Sequence, residues 1–273
     1  MPRNSSDNEF VRLQVIEYLK THPEDQHVGH ITNQSGIRIY EVSADQIEHH
    51  LPKGSKVLDW GCGYGHLTYL TSQRGYEVHG WESFPQPPIP AFFASNTYRQ
   101  IFPGMALPTD EKFDAVLSSG TLEHVADLHR SVEEIVGLLR PGGLIFIFRF
   151  PAQLSLSEYV ARRSGRWSHA VRLRRRELEV LLQTHGVRVI ESGYETFLPI
   201  ALAGRSAEAR RLRQRLSVVA DFGDRVLTRF PLVRAFSTSM YCIGKQNDEY
   251  DDTTVERNLS AHDDASGDPR TSQ

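Results

Sequence analysis

The chain has 273 residues, 39% of them hydrophobic and 24% charged, which suits one globular domain of generous size or a core domain with additions. A formal net charge of −3 gives no reason to expect nucleic acid as a partner, and no apolar run approaches the ~20 residues of a membrane span. The only cysteines, Cys62 and Cys242, lie too far apart for a disulfide framework or a clustered metal site, so no metal is expected.

Residues 1–8 read as disordered, and the start Met1-Pro2-Arg3-Asn4-Ser5 has no apolar leader core, which makes the cytoplasm the expected location. Phe10, Val11, Leu13, Val15, Ile16, Tyr18 and Leu19 recur at roughly helical spacing until His22-Pro23. Residues 23–42 are polar and close an N-terminal helical segment, 1–42. Ser43-Ala44-Asp45-Gln46 then has the form of a capping box opening a short helix to Leu51.

Lys56-Val57-Leu58-Asp59-Trp60 follows as a buried strand closed by a carboxylate, and Gly61-Cys62-Gly63-Tyr64-Gly65 leads from it into a helix ending near Gly75. Alternating glycines fit a turn that a ligand must approach closely, or one that needs positive φ. Cys62 is a small residue in that turn and reads as space-filling. A dinucleotide fold wants G-x-G-x-x-G, whereas His66 stands where the last of those glycines would be. A carboxylate before the turn would repel a diphosphate by a few kcal/mol at an effective dielectric of about 20. It would attract an ammonium and tolerate a sulfonium, both of which S-adenosylmethionine (SAM) carries.

This stretch resembles motif I of class I SAM-dependent methyltransferases. The resemblance implies an α/β fold: a Rossmann-like seven-stranded, mostly parallel sheet with an antiparallel last strand and helices on both faces. It also implies SAM as cofactor, a methyltransferase domain over residues 43–247, and Asp59, Gly61, Cys62 and Gly63 against the cofactor. The N-terminal segment of such proteins caps the SAM pocket, so Tyr40 and His30 either line the site or merely pack.

Tyr76–Glu82 reads as the second strand, and Glu82 stands 23 residues after Asp59, near the spacing of a ribose-binding acid. After the prolines at 85, 87, 88 and 90, Ala91–Ile101 reads as a helix running into a third strand near Arg99–Phe102. The family places an acid after that strand to bind adenine, and Phe102-Pro103-Gly104-Met105-Ala106 supplies none. Met105 and Ala106 are the expected walls of the adenine site.

Phe113–Ser119 reads as the fourth strand, with Ser118 and Ser119 at its carboxyl edge, where open α/β sheets bind ligands. Leu122-Glu123-His124-Val125 matches the L-E-H-V signature of the branch that includes ubiquinone and menaquinone biosynthesis methyltransferases. His124 is either a general base or a wall of the pocket. A helix over Leu128–Leu139, a turn at Arg140-Pro141-Gly142-Gly143 and a fifth strand, Leu144–Phe148, follow.

Residues 149–175 form an insertion on the substrate side, with a short helix near Leu154–Val160, and seven arginines gather between Arg162 and Arg176. They either recognise an anionic substrate or face solvent. His169 and Tyr159, in the same insertion, are further catalytic candidates. The sixth strand reads as Val187–Glu191, and the seventh, about Ala235–Ile243, is placed by the resemblance between the fifth and sixth. The apolar helical face of residues 199–231 is a packed helix, a surface for a second copy, a membrane-surface contact or a substrate lid. From Asp248 the acidic, apolar-poor tail reads as disordered.

Together these features describe a SAM-dependent methyltransferase acting on a small molecule or glycoconjugate, with oxygen the favoured acceptor atom because of His124. The alternative is a non-catalytic SAM-binding regulatory or assembly protein of the same fold. Asp59 and the glycine spacing argue against a nicotinamide-dependent dehydrogenase.

Overall fold

The computed structural model describes residues 5–83, 88–100, 111–163, 169, 171–195 and 236–247. Seven strands form one sheet: β1 Lys56–Trp60, β2 Glu77–Glu82, β3 Thr97–Gln100, β4 Phe113–Ser119, β5 Leu139–Pro151, β6 Val187–Tyr194 and β7 Ser239–Gln246. Their order is β3-β2-β1-β4-β5-β7-β6. Strands β3 to β5 are parallel neighbours, while β7 runs antiparallel to both β5 and β6. The chain thus turns outward in both directions from β1 and β4, and the carboxyl ends of these two central strands form the crevice where such sheets bind ligands.

Alternate residues of the central strands serve two cores, as the two-residue period of a strand requires. Leu58, Val116, Ile145 and Ile147 pack with Val132, Ile135, Leu178 and Leu182 from helices α4 (Leu128–Gly137) and α6 (Arg175–Thr184). Val57, Ala115, Leu117, Phe146 and Phe148 face the other way, onto Ile47 and Leu51 at the end of helix α2 (Gln34–His50). A third cluster joins α1 (Ser5–Thr21) and α2 to α3 (His66–Ser72) through Val11, Val15, Ile37, Tyr40, Leu67 and Leu70.

Several boundaries differ from the sequence reading. Helix α1 begins at Ser5, with Asn8 and Val11 buried, so residues 5–8 are ordered by packing. Helix α2 begins not at Ser43 but at Gln34, where the Asn33 side chain accepts the Gly36 N–H at 2.8 Å. Ser43 instead donates its hydroxyl to the Ile39 carbonyl one turn back, as serine does inside a helix. Residue 42 therefore lies within a continuous helix.

The helix expected over 91–101 is only a 3-10 turn, Pro90–Phe93, followed by β3. Arg140-Pro141-Gly142-Gly143 stays within β5, where Leu139 already pairs with Phe113 and the register shifts before Ala115. The short helix of the insertion is α5, Leu156–Arg163. Asp114 at the start of β4 accepts the Lys56 N–H and binds Arg140, a structural role away from the carboxyl edge. Residues 199–231 and the acidic tail lie outside the described residues.

Candidate functional site

The turn after β1 is tied to β2 by the Gly61 and Cys62 N–H groups, which both donate to the Trp81 carbonyl, at 2.8 and 3.0 Å. Gly61 has φ +77°, and a Cβ there would lie 2.2 Å from Thr121 Cγ2, so the turn and the loop after β4 touch backbone to side chain. Gly63 has φ +54° and is different: a Cβ there would meet nothing within 4 Å. Its N–H donates to Glu82 Oε2 at 2.6 Å, while Glu82 Oε1 accepts the Ser83 N–H at 2.8 Å. The Glu82 carboxylate, 8% exposed, is therefore fixed by backbone beside open space.

Asp59, 1% exposed, accepts the Thr68 hydroxyl at 2.7 Å. Burial pushes its carboxyl up to about 6, with the Thr68 bond opposing and nearby Glu82 adding to the rise. Burial also raises Glu123 and takes Glu195 up to about 7, and the Arg149 guanidinium opposes the rise at each of these three carboxyls.

Arg149 was not singled out by the sequence. It stands near the end of β5 with φ +59°, the one non-glycine residue at positive φ among the described residues. Its N–H donates to Glu195 at 2.6 Å, its Nε to Ser119 Oγ at 3.1 Å and its Nη2 to the Ser119 carbonyl at 2.9 Å. Nη1 bonds the Tyr40 hydroxyl, and the guanidinium lies 4.3 Å from the centre of the Tyr40 ring. Tyr40 in turn hydrogen-bonds His30 Nε2 at 3.0 Å and meets His66 edge to face at 4.1 Å. The only hint in sequence is a charge between Phe148 and Phe150 at the end of an apolar strand.

Three buried polar atoms in this region have no hydrogen-bond partner among the described residues: His66 Nδ1, Ser118 Oγ and Glu123 Oε2. An orphaned buried polar atom costs about 1–3 kcal/mol, so each is a demand for a ligand or a water. Burial, and then Arg149, lower His66 well below the ordinary imidazole range, so it is a neutral ring that can accept as well as donate. Cys62 Sγ packs back towards Gly80, where an added Cβ would sit 2.9 Å from it, in keeping with a space-filling role. Met105 and Ala106 lie outside the described residues.

The catalytic candidates separate. The 3-10 turn Leu122–His124 carries Glu123 inward and leaves the His124 side chain 49% exposed. His169 comes to it from the insertion, with ring centroids 5.4 Å apart. Glu123 Oε1 lies 3.9 Å from Nε2 of each histidine. Ligand atoms of the three residues fall within 4.8 Å of one another, a grouping that spacing in sequence could not reveal. Burial and then the neighbouring His169 lower His124 below its ordinary value. Tyr159 is 57% exposed, and no side-chain hydrogen bond joins it to this group among the described residues. Of the arginines in the insertion, Arg174 bonds Gln153, Arg175 bonds Ser192, and Arg172 lies 3.9 Å from Glu158.

The geometry fits a cationic, hydroxyl-bearing ligand. An acid-floored turn leaves room above Gly63, a backbone-held carboxylate stands at its rim, and orphaned acceptors lie near by. A cation placed there would favour the ionised form of Asp59, against the burial that, with Glu82 adding, keeps its carboxyl high.

Comparison with known proteins agrees with this reading. A family described as a methyltransferase domain matches residues 38–192. The ubiquinone biosynthesis O-methyltransferase of Brucella anthropi is 30% identical over 163 residues, covering 54% of this chain and 66% of its own length. Its counterpart in Mesorhizobium japonicum is 28% identical over 186 residues, covering 63% of this chain and 74% of its own. The match thus spans just under two thirds of the first relative. Among solved structures, the 1,6-didemethyltoxoflavin-N1-methyltransferase of Burkholderia thailandensis, with bound 1,6-didemethyltoxoflavin and S-adenosylhomocysteine, has TM-score 0.52 at 18% identity, over 87% of this chain and 88% of that one. At that identity the likeness is one of fold. Among the described residues no helix is long and apolar enough to cross a membrane.

Proposed function

The chain belongs to the class I SAM-dependent methyltransferases, and from that premise we propose that it moves a methyl group from SAM to a hydroxyl oxygen of a small molecule or glycoconjugate. Bound SAM supplies a methyl carbon already activated by the positive sulfur beside it. The chain's own task is to hold the two reactants and manage one proton. Positioning alone is worth roughly 7–11 kcal/mol when the reacting atoms are held near attack geometry.

In this reading Glu82 accepts the ribose hydroxyls, since an ionised carboxylate is acceptor only and can take both. Asp59 faces the ammonium end. Gly61, Cys62 and Gly63 give backbone approach, Ser118 and Ser119 stand at the edge of β4, and Met105 and Ala106 form the adenine wall. Arg149 offsets the surrounding acids and, through Ser119, sets the edge of β4. A hydroxyl acceptor must lose its proton as the new bond forms, which a neutral imidazole near pH 7 can take.

The observation that carries oxygen over other acceptor atoms is the His124–His169 pair beside buried Glu123. The names of the relatives, O-methyltransferases, agree with it. The test is to incubate the protein with SAM and small-molecule extract of its host, following S-adenosylhomocysteine and a methylated product by mass spectrometry. Product formation that falls ~10²–10⁴-fold in a His124→Ala, His169→Ala double variant, with SAM affinity retained, supports it. Binding of SAM without turnover in any extract would favour a non-catalytic SAM-binding protein.

A further inference from the structure

The catalytic set is held by a residue that sequence gave no reason to single out. Glu158, in α5, is 8% exposed, and its N–H donates to Ser155 Oγ at 3.2 Å. Its two carboxylate oxygens both grip His169: Oε2 accepts the backbone N–H at 3.0 Å, and Oε1 lies 2.8 Å from Nδ1. Burial pushes the Glu158 carboxyl up, but the two His169 hydrogen bonds, the charge interaction with His169 and then Arg172 outweigh it and hold the group below its ordinary range.

An ionised carboxylate only accepts, so the proton of a neutral His169 ring sits on Nδ1 and the lone pair on Nε2. Nε2 is the atom that faces Glu123 Oε1, at 3.9 Å, and His124. Among the described residues, Glu158, with Arg172 3.9 Å from its Oε2, meets one side of this ring, and Glu123 and His124 meet the other. Fixing a tautomer through the far nitrogen is how a buried acid makes a histidine a directed base.

We propose that Glu158 is a positioning residue that holds His169 as its Nδ1–H tautomer and aims Nε2 at the acceptor hydroxyl, making His169 rather than His124 the proton acceptor of methyl transfer. This rests on the O-methyltransferase reading above. In the step, the acceptor O–H proton passes to His169 Nε2 while the oxygen forms its bond to the methyl carbon. The S–CH3 bond breaks with its electron pair returning to sulfur.

Two measurements test it. The first needs no substrate: the protein is labelled with 15N-histidine, and the His169 ring is assigned by its loss in His169→Asn. The expected spectrum has Nδ1 protonated and Nε2 bare in the neutral ring, with that preference reduced in Glu158→Gln and lost in Glu158→Ala. A ring protonated on Nε2 in the native chain, or a preference unmoved by both substitutions, overturns the proposal.

The second is steady-state kinetics. Glu158→Gln should lower kcat by about 10–100-fold with KM for the acceptor and Kd for SAM little changed. His169→Asn should lose more than His124→Asn. An unchanged kcat in Glu158→Gln, or His124→Asn as the more damaging change, also overturns it. If the native chain forms no S-adenosylhomocysteine at all, the methyltransferase reading and His169's role as base fail together, while the tautomer still decides whether Glu158 positions the ring.

Discussion

Two glycines of the same turn should fail in opposite ways when each is replaced by alanine. At Gly63 the added methyl meets no protein atom within 4 Å, so the only structural cost is the backbone at φ +54°. For a non-glycine residue that is about 1–2 kcal/mol, a fall in Tm of a few degrees for a domain of this size. At Gly61 the same backbone cost is joined by a Cβ placed 2.2 Å from Thr121 Cγ2 and 2.6 Å from its Oγ1. Overpacking of that kind adds about 1–3 kcal/mol, so Gly61→Ala should lose roughly 2–5 kcal/mol. Ligand binding should reverse the contrast. If the space over Gly63 is where the donor lies, the methyl of Gly63→Ala enters it and costs about 1–3 kcal/mol, or roughly 5–150-fold in Kd. Thermal melts rank stability, and calorimetric titration with S-adenosylhomocysteine ranks affinity. A folded Gly63→Ala that binds S-adenosylhomocysteine as tightly as the native chain would refute the placement of the donor.

Asp59→Asn should separate stability from binding. Its folded value of about 6 lies above the ordinary 3.8, so the folded state holds more protons between about pH 4 and 6 and loses stability as pH rises through that window. The ionised group then costs on the order of 3 kcal/mol at pH 7, and the asparagine variant should melt higher there while binding SAM more weakly; a lower Tm at pH 7 contradicts this. Arg149→Met removes the cation facing Asp59, Glu123 and Glu195 and should cost about 3 kcal/mol in chemical denaturation, whereas a loss under 1 kcal/mol would deny it that role. Burial and then His169 lower His124 below the ordinary imidazole value. Any contribution it makes to kcat/KM should show an acid limb centred below the ordinary imidazole value, and a limb centred above that value would contradict this.

Much of the architecture was legible because each signal was local. The apolar run before Asp59, the glycines after it and the acid at Glu82 each specify their own segment, and their spacing orders the strands. The misreadings arose where two local solutions compete. Ser43 and Asn33 are both capping residue types, and the helix starts at Asn33 because Ile37 and Tyr40, which precede Ser43, already bury a helical face in the core. Pro141-Gly142-Gly143 has turn chemistry and bulges out within β5, between the residues Leu139 and Leu144 that pair with β4, with Gly142 at φ +72°.

The site was half legible for a different reason. Arg149 meets Tyr40 across 109 residues of chain, and Glu158 meets His169 across 11 residues that include part of the insertion. Neither pairing has a period or a motif, because tertiary approach creates it. His124 was visible from its signature, but the company of His169 and Glu123 appears only in the fold.

The acid-floored turn should receive the cationic end of SAM. Calorimetry at pH 6, repeated in buffers of different ionisation enthalpy, counts the protons that move on binding. Because Asp59 is near half-protonated at that pH, a cation arriving beside it should release up to about half a proton per SAM bound, and Asp59→Asn should abolish the release. Binding with no proton released, and with equal affinity in Asp59→Asn, would place the ligand's charge elsewhere and contradict the account.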